Sequence, residues 1–465
     1  MLRKKFNRKE KKRKSEKIWM TGNLALLALA IVMICFITTK KKPLNLVIVL
    51  VDTLRSDHLG YHGYSTPTSL QIDSLAKKSI TFMNHYSHSS RTGPSVASIF
   101  TGLHPRSHGV INPLNYFDAK GTLSETQVTL AEVFKRNGYA CYGYVANPNV
   151  SSHFGFSQGF DHYQFVQSME GPDLNRLAHK IIEEQKGPFF LYLHYMEPHS
   201  PYRAPRPYSQ MFMEPDYGGP ITGFHWQLDQ IVAGKLIPRS EDIKHLKTLY
   251  NQEILYCNDI LRELLYFLKK HNLQNNTVII FTADHGEEFW DHGSVLHGYT
   301  LYEEQLRVPM FIYDPSREIS SRVDAITRHI DLFPTILEIL GIEEDIRVQG
   351  RSLLPWVEGT ETSPAAGPVY AQVSLRAVKI VKLTSFMRDG WKLIINHLQK
   401  NSVELYHIQK DPQETQDLSP IREKMTKLLK SELVKFEESL PKANIRIKQF
   451  TEEEIERLRI LGYIK

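Results

Sequence analysis

Three short stretches of this chain carry residue types that could do chemistry together. The first is Arg91 to Gly102, RTGPSVASIFTG. It reads as a short helix with Thr92 as its N-cap, Pro94 in the first turn and Gly102 at the exit. A hydroxyl there sits among unpaired backbone N–H groups at the positive end of a helix dipole, where an anionic ester docks and an alkoxide is stabilised. Ser95, Ala97 and Ser98 keep one side of that helix small. The second and third stretches end in acids: NLVIVLV runs into Asp52, and NTVIIFTA runs into Asp284-His285-Gly286. Two carboxylates, an imidazole and a hydroxyl suit one divalent cation, and do not choose among Mn, Mg, Ca and Zn. Each residue alone is more often structural, Asp52 as a helix cap and Thr92 as an ordinary N-cap. Their shared place at element ends is what raises the expectation.

The elements that must position these residues alternate. Asn45 to Val51, Ala140 to Ala146, Pro188 to Tyr195 and Asn276 to Thr282 are continuous apolar runs, as expected of strands buried on both faces. Between them, Val128 to Asn137, Leu174 to Glu184 and Glu241 to Lys270 have helical periodicity. This rhythm predicts an α/β fold with a doubly wound, mostly parallel sheet, whose ligands bind outside the carboxyl ends of the strands. After about Gly341 the pattern changes. Tyr370 to Val373, Ala377 to Leu383, Trp391 to Asn396 and Ser402 to His407 read as short strands, and Thr426 to Glu438 as a helix. A smaller C-terminal antiparallel sheet with a helix follows, and Phe450 to Lys465 reads as a short amphipathic helix.

The 465-residue chain has a net charge of +6, but the charge is uneven. Residues 1–42 carry 13 of its 57 lysines and arginines and two of its 51 acids, so the remainder is net −5. No basic face suggests nucleic acid. Ile18 to Thr39 is uncharged, long enough at roughly 20 residues per span to cross a bilayer. Ten basic residues precede it and three follow, which predicts a cytoplasmic N-terminus and an extracytoplasmic body, periplasmic or extracellular. The expected organisation is a basic tail (1–17), a transmembrane anchor (18–39), a catalytic α/β domain (43–345), and a C-terminal subdomain with a tail helix (346–465). Cys141 and Cys257 read as buried thiols rather than a disulfide framework.

The ordered segments LVDTLRSDHLGYHGY, TGPSVASIFTGLHPRSHGV, HYMEPHSPY, FTADHGEEF, HGYTLYEEQLRVPMFIY, HIDLFPTILEILGI and ELYHIQKDPQETQDL resemble the sulfatase family, within the alkaline-phosphatase superfamily. The resemblance implies the same two-part fold, a divalent metal, and ester cleavage through a covalent intermediate. It implies that Asp52, Thr92, Asp284 and His285 hold the metal and that Thr92 is the nucleophile. It implies too that His199 holds the substrate's non-bridging oxygens or protonates the leaving group, and that His297, near the position of another substrate-contacting basic residue, is a further substrate contact. The chain departs from the family in three places. Thr92 stands where Cys or Ser is oxidised to formylglycine, Val96 replaces the maturation arginine, and Thr53 replaces a second metal-binding Asp. These departures resemble the unmodified-threonine branch, phosphodiesterases and membrane-anchored phosphotransferases. The expected activity is therefore cleavage or transfer of phosphate or sulfate esters, phosphodiesters preferred, on a substrate such as a lipid head group or envelope polymer. Sulfate ester hydrolysis without formylglycine is one alternative; a catalytically inactive envelope binding protein is another.

Overall fold

The computed structural model describes residues 43–111, 119–214, 217–317, 319–400 and 402–452, with Trp19, Ile455 and Glu456 besides. Leu44 to Lys465 form one compact unit. Among the described residues no helix is long and apolar enough to cross a membrane. The expected anchor at 18–39 lies outside them apart from Trp19, and the expected tail helix apart from its first residues.

The main sheet has nine strands. In chain order they are β1 (Asn45–Val51), β2 (Ile80–Tyr86), β3 (Ala140–Val145), β4 (His162–Phe165), β5 (Phe189–Tyr195), β6 (Thr277–Ala283), β7 (Arg307–Val308), β8 (Met310–Tyr313) and β9 (Ser321–Arg328). Their spatial order is β7-β2-β8-β6-β1-β5-β3-β4, with β9 beside β2. β1 pairs in parallel with both β5 and β6, and β3 with β5, while β8 runs against β6 and β2.

Why β1 reads as continuous apolar sequence is visible in its two faces. Val47, Val49 and Val51 join one core with Leu191, Leu193, Ile279 and Phe281, under the helices Gly171–Glu184 and Ser240–Lys270. Leu46, Ile48 and Leu50 join the opposite core with Phe190, Tyr192, Val278 and Ile280. That second core is closed by the helices Thr92–Thr101, Leu130–Arg136 and His329–Leu340. Both faces being covered is the doubly wound arrangement.

The smaller sheet is antiparallel, β10 (Val369–Arg376), β11 (Ile380–Arg388), β12 (Trp391–Asn396) and β13 (Ser402–His407) in that order. β11 runs past the expected Ala377–Leu383 strand, because Ala377–Lys379 is the turn that joins it to β10. One face packs on Tyr86, Leu301 and Leu306 of the main body; the other packs on Leu429 and Leu433 of the helix Glu423–Ser439. Between the two parts lies a buried ion cluster, with Lys392 Nζ 3.0 Å from Glu303 and 2.9 Å from Glu414. At the other end, Arg446–Gln449 pairs with Ala119–Thr122 as a two-stranded ribbon. Cys141 and Cys257 are both buried and free.

Candidate active site

Strand register brings the acids together. Val51 lies opposite Tyr195 on one side and Ala283 on the other. The residues that follow, Asp52 and Asp284, therefore leave adjacent parallel strands at the same edge. The chain turns at once, with Thr53 at φ 56°. The Thr53 backbone N–H donates to Asp284 Oδ1 at 3.1 Å, and the His285 N–H donates to the same oxygen at 2.9 Å. Gly286 is required by crowding rather than by a left-handed backbone: a Cβ there would collide with the Glu304 carbonyl oxygen.

Thr92 arrives from another direction, on the helix that follows β2. The N-cap is Arg91, not Thr92 as the sequence suggested; Thr92 is the first helical residue and makes no capping bond. Gly102 closes the helix in the left-handed region, at φ 66°. Ser95, one turn on, shows why that helix face is small: its hydroxyl donates to the Asp284 carbonyl at 2.6 Å and meets His329 Nδ1 at 3.1 Å. This pins the helix start to the end of β6. Thr92 Oγ1 then lies 3.4 Å from His285 Nε2 and 3.3 Å from Asn147 Nδ2.

Asp52 and Asp284 are both fully buried. Asp52 Oδ2 accepts from Asn147 Nδ2 at 2.5 Å and from His194 Nε2 at 3.1 Å, leaving Oδ1 without a partner. Asp284 spends Oδ1 on the two backbone amides and leaves Oδ2 without a hydrogen bond. His285 Nδ1 is 2.9 Å from the Gly286 carbonyl, which can only accept, so Nδ1 carries a proton; in the neutral tautomer Nε2 presents a lone pair. That lone pair sits 3.2 Å from Asp284 Oδ2. Buried carboxylate oxygens without a hydrogen-bond partner, as Asp52 Oδ1 and Asp284 Oδ2 are, are costly. A divalent cation resolves this, and the orphaned oxygens, the imidazole nitrogen and the Thr92 hydroxyl are fitting donors. Electrostatics agree. Burial pushes the Asp52 carboxyl up, yet the His194 hydrogen bond and the fields of His199, His194 and His285 outweigh it and hold it at about 2. Burial, and then the charge of Asp52, push Asp284 up.

Two further histidines flank this group. His199 Nδ1 donates to the Ser200 carbonyl at 2.5 Å, and its ring lies 5.0 Å from that of His297. The His297 ring in turn lies 4.5 Å from His285, with its Nδ1 3.1 Å from Glu287. Burial lowers His199 to about 4 and, joined by the fields of His285, His199 and Arg91, takes His297 well below the usual imidazole range. Both rings are thus neutral near pH 7.

All six residues singled out from the sequence, Asp52, Thr92, His199, Asp284, His285 and His297, converge on one place. His292, five residues before His297 in the sequence, lies apart: it pairs with Glu304 at 2.9 Å, which outweighs burial and raises it to about 9. Two residues escaped the sequence. His194 lies inside β5, where a lone histidine in an apolar strand reads as core. It forms a tight cluster with Asp52 and Asp284, their ligand atoms within 4.8 Å of one another. At 3.1 Å from a carboxylate oxygen, its Nε2 is a donor that turns Asp52 rather than a free ligand. Asn147 follows β3 in a loop; its only signal is that β3 abuts β5 at the same sheet edge.

A family model described as "Sulfatase" matches residues 44–342, and one described as "N-sulphoglucosamine sulphohydrolase, C-terminal" matches residues 292–439. An arylsulfatase of Clostridium perfringens is 26% identical over 68% of this chain and 79% of its own length. The multifunctional alkaline phosphatase superfamily protein PehA of Trinickia caryophylli is 25% identical over 67% and 77%. The phosphonate monoester hydrolase of Agrobacterium radiobacter has the same fold, with a TM-score of 0.70 at 20% identity, covering 85% of this chain and 95% of that one. With the sulfatase model spanning well over half of the sequence, the chain belongs to the sulfatase family.

Proposed function

We propose that the chain is a divalent-metal-dependent hydrolase of sulfate or phosphate esters, phosphodiesters preferred, acting through a covalent intermediate on Thr92. Sulfatase-family enzymes are ester hydrolases that use a divalent metal. The observation that carries the finer reading is the Thr92 hydroxyl, 3.4 Å from His285 Nε2 and 3.3 Å from the amide that also binds Asp52. Asp52, Asp284, His285 and Thr92 would hold one cation, which when bound supplies the Lewis acidity that acidifies a hydroxyl.

Thr92 Oγ1 gives up its proton to water and attacks the phosphorus or sulfur in line, and the bond to the leaving oxygen breaks with its electron pair going to that oxygen. His199 and His297 are neutral in the free site. An ester anion docked against them favours their charged forms, so either ring can balance the transition-state charge or protonate the leaving oxygen. Water then resolves the Thr92 ester; an acceptor hydroxyl in its place would make the reaction a transfer. The preference for phosphodiesters rests on the threonine, which has no route to the aldehyde hydrate of formylglycine. Sulfate ester hydrolysis by unmodified Thr92 is the second reading, favoured by the arylsulfatase relative.

A metal-supplemented screen of aryl sulfates, phosphomonoesters, phosphodiesters and phosphonates, run on wild type and Thr92→Ala, tests both. The expected result is phosphodiester turnover that Thr92→Ala abolishes. Faster sulfate turnover replaces the first reading with the second, and full activity of Thr92→Ala ends both. The basic and apolar N-terminus supports a membrane-tethered, extracytoplasmic enzyme working near a lipid surface or envelope polymer. Fractionation with and without residues 1–42 checks this, and an unchanged distribution rejects it.

A further inference from the structure

Next to the helix that carries Thr92 lies a cleft of about 500 Å³, within the range of pockets that take whole small ligands. Arg91, Arg106, Lys382 and His397 line it, with Glu437 its one acid. This is a basic recess in a body whose net charge from residue 43 onward is −5. Glu437 is engaged by the Tyr370 hydroxyl at 2.8 Å, and its charge reaches His397, where it only partly offsets burial and Lys382. The Arg106 Nε is buried without a hydrogen-bond partner. Lys382 is exposed and close enough to His397 to lower its pKa, after burial.

The cleft is joined to the reaction centre by Arg91. This residue lines the cleft and caps the helix on which Thr92 is first. Its stem lies against Gly298, the neighbour of His297, where a Cβ would meet Arg91 Cδ at 2.5 Å. Arg91 is thus the residue shared by the cleft wall and the surroundings of the two histidines, and a ligand that reaches both would pass it. Gln372 and Thr384 on the small sheet add neutral hydrogen-bonding groups to the wall.

We propose that this cleft binds a second anionic group of the same substrate, so that the preferred substrates are polyanionic esters whose uncleaved sulfate, phosphate or carboxylate is held by Arg106 and Lys382. The proposal rests on the reading of Thr92 as nucleophile only for which end of the substrate reacts. Binding is tested without turnover, by titrating sucrose octasulfate and unsulfated sucrose into wild type, Thr92→Ala and the double variant Arg106→Gln/Lys382→Gln. Wild type and Thr92→Ala are expected to bind the sulfated sugar alike, and the double variant to bind it about tenfold more weakly or worse. Equal dissociation constants in wild type and the double variant overturn the proposal.

A kinetic arm uses 4-nitrophenyl phenyl phosphate and the same diester with a carboxylate on the phenyl ring. The ratio of their kcat/KM values, charged over uncharged, is expected to exceed about ten in wild type and to fall toward one in the double variant. A ratio near one in wild type also overturns the proposal. Turnover surviving in Thr92→Ala overturns the nucleophile reading and leaves the titration to decide the cleft. The melting temperature of the double variant separates lost binding from lost folding.

Discussion

Replacing Asp284 by Asn is expected to change stability in opposite directions with and without metal. In the stripped protein, Asp52 and Asp284 face each other with ligand atoms within 4.8 Å, fully buried. Two like charges at that distance repel by about 3 kcal/mol at an effective dielectric constant near 20. The carboxamide would remove that repulsion and keep the bonds: its carbonyl oxygen accepts from the Thr53 and His285 amides, and its NH2 can donate to the lone pair of His285 Nε2. The stripped variant should therefore be the more stable, by up to about 3 kcal/mol. At ~2.1 cal/mol/K per residue, that is a rise in Tm of about 3 °C for a body of this size. With metal the order reverses. A cation at 100 times its Kd stabilises wild type by about 2.7 kcal/mol, and a site that has lost one of two carboxylates forfeits most of that. Scanning calorimetry of both proteins, in EDTA and in millimolar Mn, Ca, Mg or Zn, reads the crossing. If the stripped variant melts below stripped wild type, or both gain equally from metal, the two carboxylates do not share a cation and the site reading fails.

Other expectations follow from groups around this one. Gly286→Ala forces the segment away from the Glu304 carbonyl, and the metal-induced shift in Tm should vanish while the far-ultraviolet spectrum stays folded. Lys392→Met leaves Glu303 and Glu414 buried without their cation and should cost about 3–5 kcal/mol by urea unfolding; adding Glu414→Gln should restore part of it. Burial, joined by the charge of Glu197, raises Glu253 to about 8 from an ordinary value of 4.5. Its raised folded pKa contributes stability that is complete below about pH 4.5 and lost as pH rises to about 8, at about 1.4 kcal/mol per unit at most. Glu253→Gln should therefore leave Tm nearly unchanged at pH 5 and raise it at pH 9.

The sheet was legible because β1, β5 and β6 are buried on both faces, which leaves uninterrupted apolar runs that end abruptly in polar residues. The two acids were legible for the same reason, being the first polar residues past a buried strand. β2, ITFMNHY, escaped notice because Asn84 and His85 interrupt it. Its neighbours explain why: it pairs with the short β7 and β8 and with the irregular β9, so it lacks the full cover of a central strand. His85 is nonetheless buried, satisfied at 2.9 Å by Thr327. Thr92 was misplaced by one position because Thr is a preferred N-cap, whereas here the arginine before it is extended and takes that place. The cap preference was overridden by Ser95, whose bond to the Asp284 carbonyl sets where the helix begins. His194 and Asn147 could not be read at all, since nothing local distinguishes a histidine that turns a carboxylate from one that fills a core.

Thr53 links these points to the chemistry. Where the family's pattern has a second aspartate after the first strand, this chain has a buried hydroxyl without a hydrogen-bond partner, and the Thr53 backbone, not its side chain, meets Asp284. Two carboxylates, Asp52 and Asp284, match the charge of a divalent cation, whereas three would leave the centre net negative and repel an ester anion. The same centre is ringed by neutral histidines rather than charged ones. Arg91, beside Thr92 in the chain, brings a fixed positive charge whose field reaches both histidines, since arginine keeps its charge in any protein environment. On the proposed reading, a centre of two carboxylates and a divalent cation has no net charge, and a monoanionic ester suits it better than a dianion does. If Thr92 is the nucleophile, that balance favours a diester over a phosphomonoester, and it leaves any further negative charge on the substrate to be met beyond Arg91.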